Sequence, residues 1–409
     1  MRVLLTSRGS RGDVEPLAAL AVALREGGAE VLVAAPPDRE FAELLGGVGV
    51  PHLPIGASIR ALVKEVRTEG KAPRTSADMR PHVEGLIAFT AEALAEAAQG
   101  CEAIVATGLF PSVAVSHAVA ERLGVRFAAA FLQPTTLPSF DHPPHPMPGW
   151  PLPPGVTDNR ELWDRDVAVM NDLFGGPVNA YRESIGLAPL ANVRDSVYTD
   201  RPWLATDPLL GPWRPIGLDV VQTGGWVLRD ERPLPVDLEA FLDAGEAPVY
   251  VGFGSIPVRD PKEAARAAVA AARAHGRRLV LGRGWADLEA VDGDADCFVV
   301  GEVNQQALFP RTAAVVHHGG AGTTTTAAMA GAPQVVVPQI VDQPYWAGRV
   351  AELGIGAAHE GPVPTAESLT SALAMALDAK TAERAAEVAG LVRRDGAERA
   401  AKLLLDGKV

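Results

Sequence analysis

Short apolar runs alternate with longer amphipathic segments along the chain, and the alternation occurs once in each half. Valine-rich runs of this length predict buried strands, and helical segments between them are typical of parallel sheets. In the first half the predicted strands are Arg2–Ser7, Glu30–Pro36, Ala103–Gly108 and Phe127–Leu132. In the second half they are Val249–Ser255, Arg278–Gly282, Cys297–Glu302, Ala313–His318 and Gln334–Gln339. The pattern therefore predicts an α/β fold with two parallel sheets.

The connecting segments have helical spacing and tend to end at glycine, as in residues 15–28 and 261–276. Near the end of the chain, Asp395 and Gly396 interrupt the helical pattern, which predicts two terminal helices. Two stretches fit neither pattern. Thr199–Pro235 indicates a packed, irregular linker, while the proline-rich stretch Gln133–Gly155 indicates either a binding loop or a mobile surface loop.

Composition narrows the class of protein. A length of 409 residues favours two domains, and a formal net charge of −13 argues against a nucleic-acid partner. The only cysteines, Cys101 and Cys297, indicate a reducing environment rather than a disulfide framework. Pro111 and His117 interrupt the most apolar window, so we expect no stable membrane insertion. We therefore expect a cytoplasmic protein.

The stretch "HHGGAGTTTT", which begins at His317, combines a strand end, glycines and a helix start. Glycines allow close approach of the backbone, and a helix N-terminus offers unpaired amide groups, so this order suits an anion. A zinc site is the first alternative, but adjacent strand side chains point to opposite faces and no other His/Cys cluster is near. A purely structural turn is the second. Anion binding is the favoured interpretation.

Asp342 and Gln343 follow the last predicted strand, at the edge where open α/β sheets bind ligands. A carboxylate accepts hydrogen bonds from hydroxyls, while an amide both donates and accepts. The pair therefore suits a polyhydroxylated ring. The alternative is that Asp342 is a solvent-facing N-cap.

The loop "TSRGSRGDVEP" connects the first strand to the first helix. Asp13 stands where an N-cap is expected, with Pro16 in the first turn. A carboxylate here is also placed to act as a general base toward an acceptor hydroxyl. Both interpretations remain open on this evidence.

The stretches "GSRGDVEPL" and "HHGGAGTTTTAAMAGAPQVVVPQIVDQPYWAGRVAELGIG" resemble the antibiotic-tailoring members of glycosyltransferase family 1, in particular the glycopeptide glycosyltransferases. Supporting similarities occur at "RPWLATDP", "PVYVGFGS" and "RGWADL". The C-terminal stretch is also similar to macrolide and sterol glucosyltransferases. The resemblance covers nearly the whole chain.

The resemblance implies the GT-B fold, in which two Rossmann-like domains face each other across a cleft and the last helix crosses back to the first domain. On this basis residues 1–215 form an acceptor-binding domain and residues 216–235 a linker. Residues 236–392 form a nucleotide-sugar-binding domain, and residues 393–409 the returning helix.

The resemblance also implies a set of donor-binding residues. They are Ser10, Gly12, Ser255, Trp285, Val303, His317, Gly319, Ala321, Gly322, Thr323, Asp342 and Gln343. The turn from His317 to Thr323 would hold the diphosphate, with Ser10, Gly12 and Ser255 beside it.

In the same comparison, Trp285 and the backbone around Val303 match the nucleobase pocket. Asp342 and Gln343 would bind sugar hydroxyls, and Asp13 would be the catalytic base. Macrolide relatives have histidine at the position of Asp13, which supports proton transfer there.

The implied activity is inverting O-glycosyl transfer from a UDP- or dTDP-sugar to a hydrophobic natural-product aglycone, such as a glycopeptide or polyketide. Because Asp342 and Gln343 are both present, glucose is favoured over an amino-deoxysugar. We expect no cofactor and no metal, because diphosphate is already a good leaving group and its growing charge would be met by the amide groups after Gly319 and by His317.

Two alternatives belong to other classes of protein. An NAD(P)-dependent oxidoreductase of Rossmann type would need a glycine fingerprint after the first strand, and "SRGSRGD" lacks that spacing. A catalytically idle, glycosyltransferase-like activator would be expected to lose the sugar and phosphate residues, which this chain keeps.

Overall fold

A computed structural model describes residues 1–62, 64, 75–147, 149–214, 217–255, 260–285, 288 and 294–408. The chain divides into two compact units. The first unit comprises Met1–Asp207, Pro212–Leu228 and Arg394–Val409, and the second comprises Pro208–Gly211 and Arg229–Arg393. The boundary predicted between residues 215 and 216 falls outside the described residues.

The first unit is built on a parallel sheet whose described strands have the order β3-β2-β1-β4-β5-β6-β7. The strands are β1 (Arg2–Ser7), β2 (Glu30–Ala35), β3 (His52–Pro54), β4 (Ala103–Thr107), β5 (Arg126–Phe131), β6 (Trp203–Leu204) and β7 (Val221–Gln222). The order reverses between β1 and β4, and such a reversal is where open α/β sheets bind ligands.

Helices cover both faces of this sheet because alternate strand residues point to opposite sides. Val3 and Leu5 belong to one buried cluster, and Leu4 belongs to the other. The helices are α1 (Arg11–Glu26), α2 (Arg39–Gly47), α3 (Ser76–Ala97), α4 (Phe110–Leu123), α5 (Asn159–Ser184) and α6 (Val193–Tyr198). A short 3₁₀ turn occupies Pro134–Thr136.

The second unit has a parallel sheet of order β10-β9-β8-β11-β12-β13. Its described strands are β8 (Val249–Gly252), β9 (Leu279–Gly282), β10 (Cys297–Val300), β11 (Ala314–His317), β12 (Gln334–Val336) and β13 (Gly356–Ala358). Counted within the unit, this is the Rossmann order 3-2-1-4-5-6, and the order reverses between β8 and β11.

The described helices of the second unit are α7 (Val236–Asp243), α8 (Pro261–Ala274), α9 (Gln305–Leu308), α10 (Ala321–Ala330), α11 (Gln343–Glu352), α12 (Ala366–Ala376) and α13 (Ala379–Ala389). A 3₁₀ turn spans Phe309–Arg311. Pro208–Gly211 docks on this unit: Arg349 donates to the carbonyls of Leu209 and Leu210, and Leu210 is buried against Trp346.

The last helix, α14 (Gly396–Leu405), packs on the first unit, as the fold prediction requires. Ala400 and Leu404 are buried in the same cluster as Leu20 and Trp203. The carbonyl of Leu404 accepts a hydrogen bond from Arg126 Nη1 at 2.9 Å. None of the helices that the structure describes is long and apolar enough to cross a membrane.

The nine strands predicted from apolar runs are all present, whereas the short strands β3, β6, β7 and β13 were missed. The expectation of an irregular linker is wrong for β6 and β7, which extend the first sheet. The proline-rich stretch is packed rather than a mobile surface loop. Leu137 and Ser139 are buried, and Trp163 Nε1 donates to the carbonyl of His142 at 2.9 Å.

Docking of the terminal helix depends on the lack of a side chain at Gly396. A Cβ atom at this position would lie 2.3 Å from the carbonyl oxygen of Gly225, which belongs to rigid backbone. We expect Gly396→Ala to lower the free energy of unfolding by about 2 kcal/mol in chemical denaturation, because α14 must shift.

Gly175, inside α5, is the matched control because no atom lies within 4 Å of its missing Cβ. Gly175→Ala should leave stability unchanged or raise it by up to about 1 kcal/mol. Equal effects of the two substitutions would contradict the docking.

Candidate functional site

Three turns meet at the carboxyl edge of the second sheet. The amide of Trp285, after β9, donates to the carbonyl of Gly254, after β8, at 2.8 Å. A Cβ atom at Gly284 would lie 2.5 Å from the same carbonyl oxygen, and one at Gly254 would lie 3.2 Å from Cε1 of His318, after β11. The turns therefore converge where the strand order reverses, between β8 and β11.

The turn between β11 and α10 depends on its glycines. Gly319 has φ of +91°, and a Cβ atom there would lie 2.6 Å from Val336 Cγ1. Gly320 is the N-cap of α10 and provides no side-chain cap. Ala321, Gly322 and Thr323 form the first turn, whose amide groups have no acceptor one turn earlier. This end of the helix can bind an anion.

His317 lies beneath this turn and is fully buried. Its Nε2 bonds to Gln334 Oε1 at 2.9 Å, and its Nδ1 accepts from the amide of Gly319 at 3.1 Å. Burial lowers the pKa of His317 to about 4, so the ring is neutral near pH 7. Because both ring nitrogens are bonded within the protein, His317 holds the turn. A contact of this residue with the diphosphate stays a prediction.

His318 is the histidine that sequence reasoning did not select. Its buried Nδ1 has no hydrogen-bond partner among the described residues, and a Cβ atom at Gly320 would lie 2.5 Å from its Nε2. Burial, and secondarily the nearby His317, lowers its pKa to about 3. A neutral imidazole still carries one N–H donor. The sequence signal that could have distinguished the two histidines is strand alternation, because it places adjacent side chains on opposite faces.

Ser255, Trp285 and Val303 are half-buried in the turns after β8, β9 and β10. The Val303 side chain packs on the apolar cluster around Tyr250, which leaves its backbone for other contacts. Asn304 caps α9 and donates from its amide to two backbone carbonyls, those of Asp230 and Arg232. The positions of Trp285 and the Val303 backbone, at the carboxyl ends of β9 and β10, are compatible with the predicted nucleobase pocket.

Asp342 is the N-cap residue of α11, but its half-buried side chain does not cap the helix. The residue makes no side-chain capping bond, and its Oδ2 accepts from the indole of Trp346 at 2.7 Å. Desolvation by burial raises the pKa of Asp342 to about 6, although the Trp346 hydrogen bond opposes the shift. Near pH 7 the group is mainly a carboxylate, and it can accept from hydroxyls.

Gln343 is buried and holds the preceding loop. Its Oε1 accepts from the amides of Gln339 and Ile340 at 2.7 Å and 3.0 Å. Among the described residues nothing accepts a hydrogen bond from its Nε2. The side chain therefore retains a donor for a ligand oxygen.

The first unit holds a separate group of predicted residues, where β1 leads into α1. Ser10, not Asp13, is the N-cap of α1, so the N-cap interpretation of Asp13 is wrong. Asp13 occupies the third helical position, and its Oδ2 accepts from the amide of Ser10 at 2.8 Å. Gly12 is exposed beside them. A Cβ atom at Gly108 would lie 3.5 Å from Asp13 Oδ1, so the carboxylate adjoins the end of β4.

The structure thus groups the predicted residues in two sets. Those after β8, β9, β10, β11 and β12 lie along one edge of the second sheet. Ser10, Gly12 and Asp13 lie in the first unit.

Comparisons with known proteins define the class. The solved structure of the kitacinnamycin glycosyltransferase matches with a TM-score of 0.71 and 21% identity, covering 99% of this chain and 98% of that chain. Residues 287–399 match the model for the C-terminal domain of erythromycin biosynthesis protein CIII-like proteins. These solved structures show that the chain has the GT-B fold.

Sequence relatives identify the family. Vancomycin aglycone glucosyltransferase from Amycolatopsis orientalis is 52% identical over 406 residues, covering 99% of this chain and 97% of the relative. The dTDP-epi-vancosaminyltransferase of the same organism is 47% identical over 410 residues, with the same coverage. The chain belongs to the antibiotic-tailoring glycosyltransferases of glycosyltransferase family 1.

The buried bonds of His317 generate a stability prediction. His317→Ala removes a fully buried ring and leaves Gln334 Oε1 and the Gly319 amide without their partner. We expect a loss of about 3 kcal/mol in the free energy of unfolding, measured by chemical denaturation.

His318→Ala is the control, because this buried ring makes no hydrogen bond with the described residues. It should cost clearly less than His317→Ala. A larger loss for His318→Ala would contradict the structural role of His317.

Proposed function

We propose that the protein transfers a hexose from a UDP- or dTDP-sugar to a hydroxyl of a glycopeptide aglycone, with inversion at the anomeric carbon and without a metal. The acceptor class is supported by the 52% identity to a vancomycin aglycone glucosyltransferase. A thymidine donor is also compatible with the family, because the relative that is 47% identical uses a dTDP-sugar by name.

The observation that carries the proposal is the start of α10, which follows the glycine turn after β11 and has no side-chain cap. A sugar nucleotide brings two phosphates, and the amide groups of Ala321, Gly322 and Thr323 are the donors for them. His318 adds a ring N–H beside Gly320. The same groups stabilise the diphosphate as negative charge grows on departure, which supports a reaction that needs no divalent ion.

The sugar is assigned to the loop after β12. The Asp342 carboxylate would accept from hydroxyl hydrogens, and Gln343 Nε2 would donate to a hydroxyl oxygen. A fully hydroxylated hexose satisfies both groups, whereas a deoxysugar leaves one of them without a partner at a desolvation cost. Glucose is therefore the favoured donor sugar. Trp285 and the backbone at Val303 would hold the nucleobase.

Asp13 would remove the proton from the acceptor hydroxyl. The oxygen then attacks the anomeric carbon as the bond to the diphosphate oxygen breaks, and that bond pair leaves with the diphosphate. One displacement inverts the configuration. The acceptor proton ends on the Asp13 carboxylate, and no second carboxylic acid is needed for a leaving group as good as diphosphate.

A donor and acceptor screen tests the function. UDP-glucose, dTDP-glucose and a dTDP-amino-deoxysugar are each combined with a glycopeptide aglycone, a polyketide aglycone and a sterol, and products are read by mass. We expect the mass of one added hexose on the glycopeptide, with the same rate in excess EDTA. Absence of transfer from every donor would contradict the proposal, and loss of activity in EDTA would contradict its metal independence.

Asp13→Asn tests the base. The amide oxygen can still accept from the Ser10 amide, so the turn should persist. We expect kcat to fall by about 10³-fold with the KM for the sugar nucleotide nearly unchanged, because general-base catalysis is lost but donor binding is not. Steady-state kinetics measure both constants. A variant that keeps a tenth of the activity would refute the assignment.

The raised pKa of Asp342 predicts a pH dependence of donor affinity. If the carboxylate binds sugar hydroxyls, ionisation through a pKa of about 6 should strengthen binding as pH rises. The KM for UDP-glucose should therefore fall by about tenfold from pH 5 to pH 7 and change little above it. His317 and His318, with pKa values of about 4 and 3, are already neutral over this range.

Asp342→Asn is the control, and its KM should be flat with pH. If Asp342→Asn instead keeps the pH dependence of the unaltered enzyme, the titration belongs to another group and Asp342 is not part of the sugar site.

A further inference from the structure

Helix α4 begins with a residue that is unusual for its position. Its N-cap is Leu109, whose side chain is apolar and 52% exposed, and the helix has no side-chain cap. The N-caps of the other described helices of the first unit are all polar: Ser10, Asp38, Thr75, Asp158, Asn192 and Asp395. Serine, threonine, aspartate and asparagine stabilise this position, and leucine does not.

Leu109 lies at the reversal point of the first sheet, directly after β4. Gly108 separates it from the strand with φ of +95°. A Cβ atom at Gly108 would lie 2.9 Å from Ser7 Oγ and 3.5 Å from Asp13 Oδ1. Gly108 thus adjoins the carboxylate, and the next residue in the chain exposes an apolar side chain.

The neighbouring residue shows that Leu109 is not needed for the core. Phe110 is half-buried and packs against Phe174, with ring centroids 4.9 Å apart and the planes tilted by 33°, so it provides the inward apolar contact of this turn. Leu109 contributes only its backbone carbonyl to the start of the helix, through the amides of Ser112 and Val113. Any residue supplies that carbonyl.

Leu109 weakens its own helix, serves no core and directly follows the glycine that adjoins the proposed base. Residues that break a local rule in this way are expected at functional sites. We propose that Leu109 is an acceptor-specificity residue, whose side chain covers the apolar ring surface next to the reacting hydroxyl. It selects aglycones in which that hydroxyl is attached to an apolar ring over small, fully polar alcohols. This inference rests on the proposed function.

The test uses Leu109→Ser, for which a structural role and a binding role predict different results. Serine supplies the missing cap, so the melting temperature should rise by about 2 °C. The KM for vancomycin aglycone, measured with UDP-glucose as donor, should rise about tenfold, while the KM for UDP-glucose stays within twofold. Gain of stability together with loss of acceptor affinity would not arise from damage to the fold.

Two further variants control the result. Leu109→Met keeps an apolar side chain and should retain the acceptor KM within about twofold. Val236→Ser removes an 86% exposed apolar side chain at the start of α7, in the second unit, and should change neither KM.

An unchanged acceptor KM in Leu109→Ser, with the unaltered enzyme active, would overturn the inference and leave the proposed function standing. A rise that is equally large in Leu109→Met would also overturn it, because loss of apolar surface would then not be the cause. Absence of hexose transfer by the unaltered enzyme would instead refute the proposed function, and this inference with it.

Discussion

A chain of buried hydrogen bonds holds the start of α10 open toward a ligand. Gln334, in β12, donates weakly to the carbonyl of Thr324 at 3.4 Å and bonds to His317 at 2.9 Å. The His317 ring then accepts from the Gly319 amide at 3.1 Å. Strand, turn and helix are thereby joined through two fully buried side chains. The amide groups of the first helical turn remain uncapped, and the proposed diphosphate binding would depend on this orientation.

The loop after β12 is organised in a similar way, because the residues proposed to bind the sugar also form hydrogen bonds that hold the loop. Gln343 uses its carbonyl for the amides of Gln339 and Ile340, and Asp342 accepts from buried Trp346. Val341, which lies between Ile340 and Asp342, has φ of +54°, an unfavourable conformation for a β-branched residue. The loop keeps this conformation because the surrounding hydrogen bonds determine it, a feature common at ligand sites. Sugar selectivity would therefore depend on a loop that is set before the donor binds.

The sequence predicted most of the fold and only part of the site. Long valine-rich runs identified the inner strands, since a strand buried on both faces must be apolar throughout. The strands Trp203–Leu204 and Val221–Gln222 have two residues each and no recognisable period, so only their pairing with neighbouring strands defines them. The sequence predicted which turns hold the candidate site residues, but it did not predict which hydrogen bonds their side chains make. His317 and His318 are adjacent in sequence, and tertiary packing alone gives one of them two partners and leaves Nδ1 of the other unpaired.

The glycines around Asp13 have a physical explanation that a phosphate-binding interpretation of "SRGSRGD" would miss. A Cβ atom at Gly9 would lie 2.0 Å from Asp13 Oδ2, inside the space that the carboxylate occupies. Gly108 adjoins the Oδ1 side, where an added Cβ atom would lie 3.5 Å from Oδ1, an ordinary contact distance. One oxygen is anchored by the Ser10 amide at 2.8 Å, which fixes the carboxylate plane and directs the other oxygen toward the end of β4. Gly9 therefore accommodates the carboxylate. A dinucleotide fingerprint would instead use its glycines to bring backbone amides to phosphate, so this geometry supports the proposed proton transfer to Asp13.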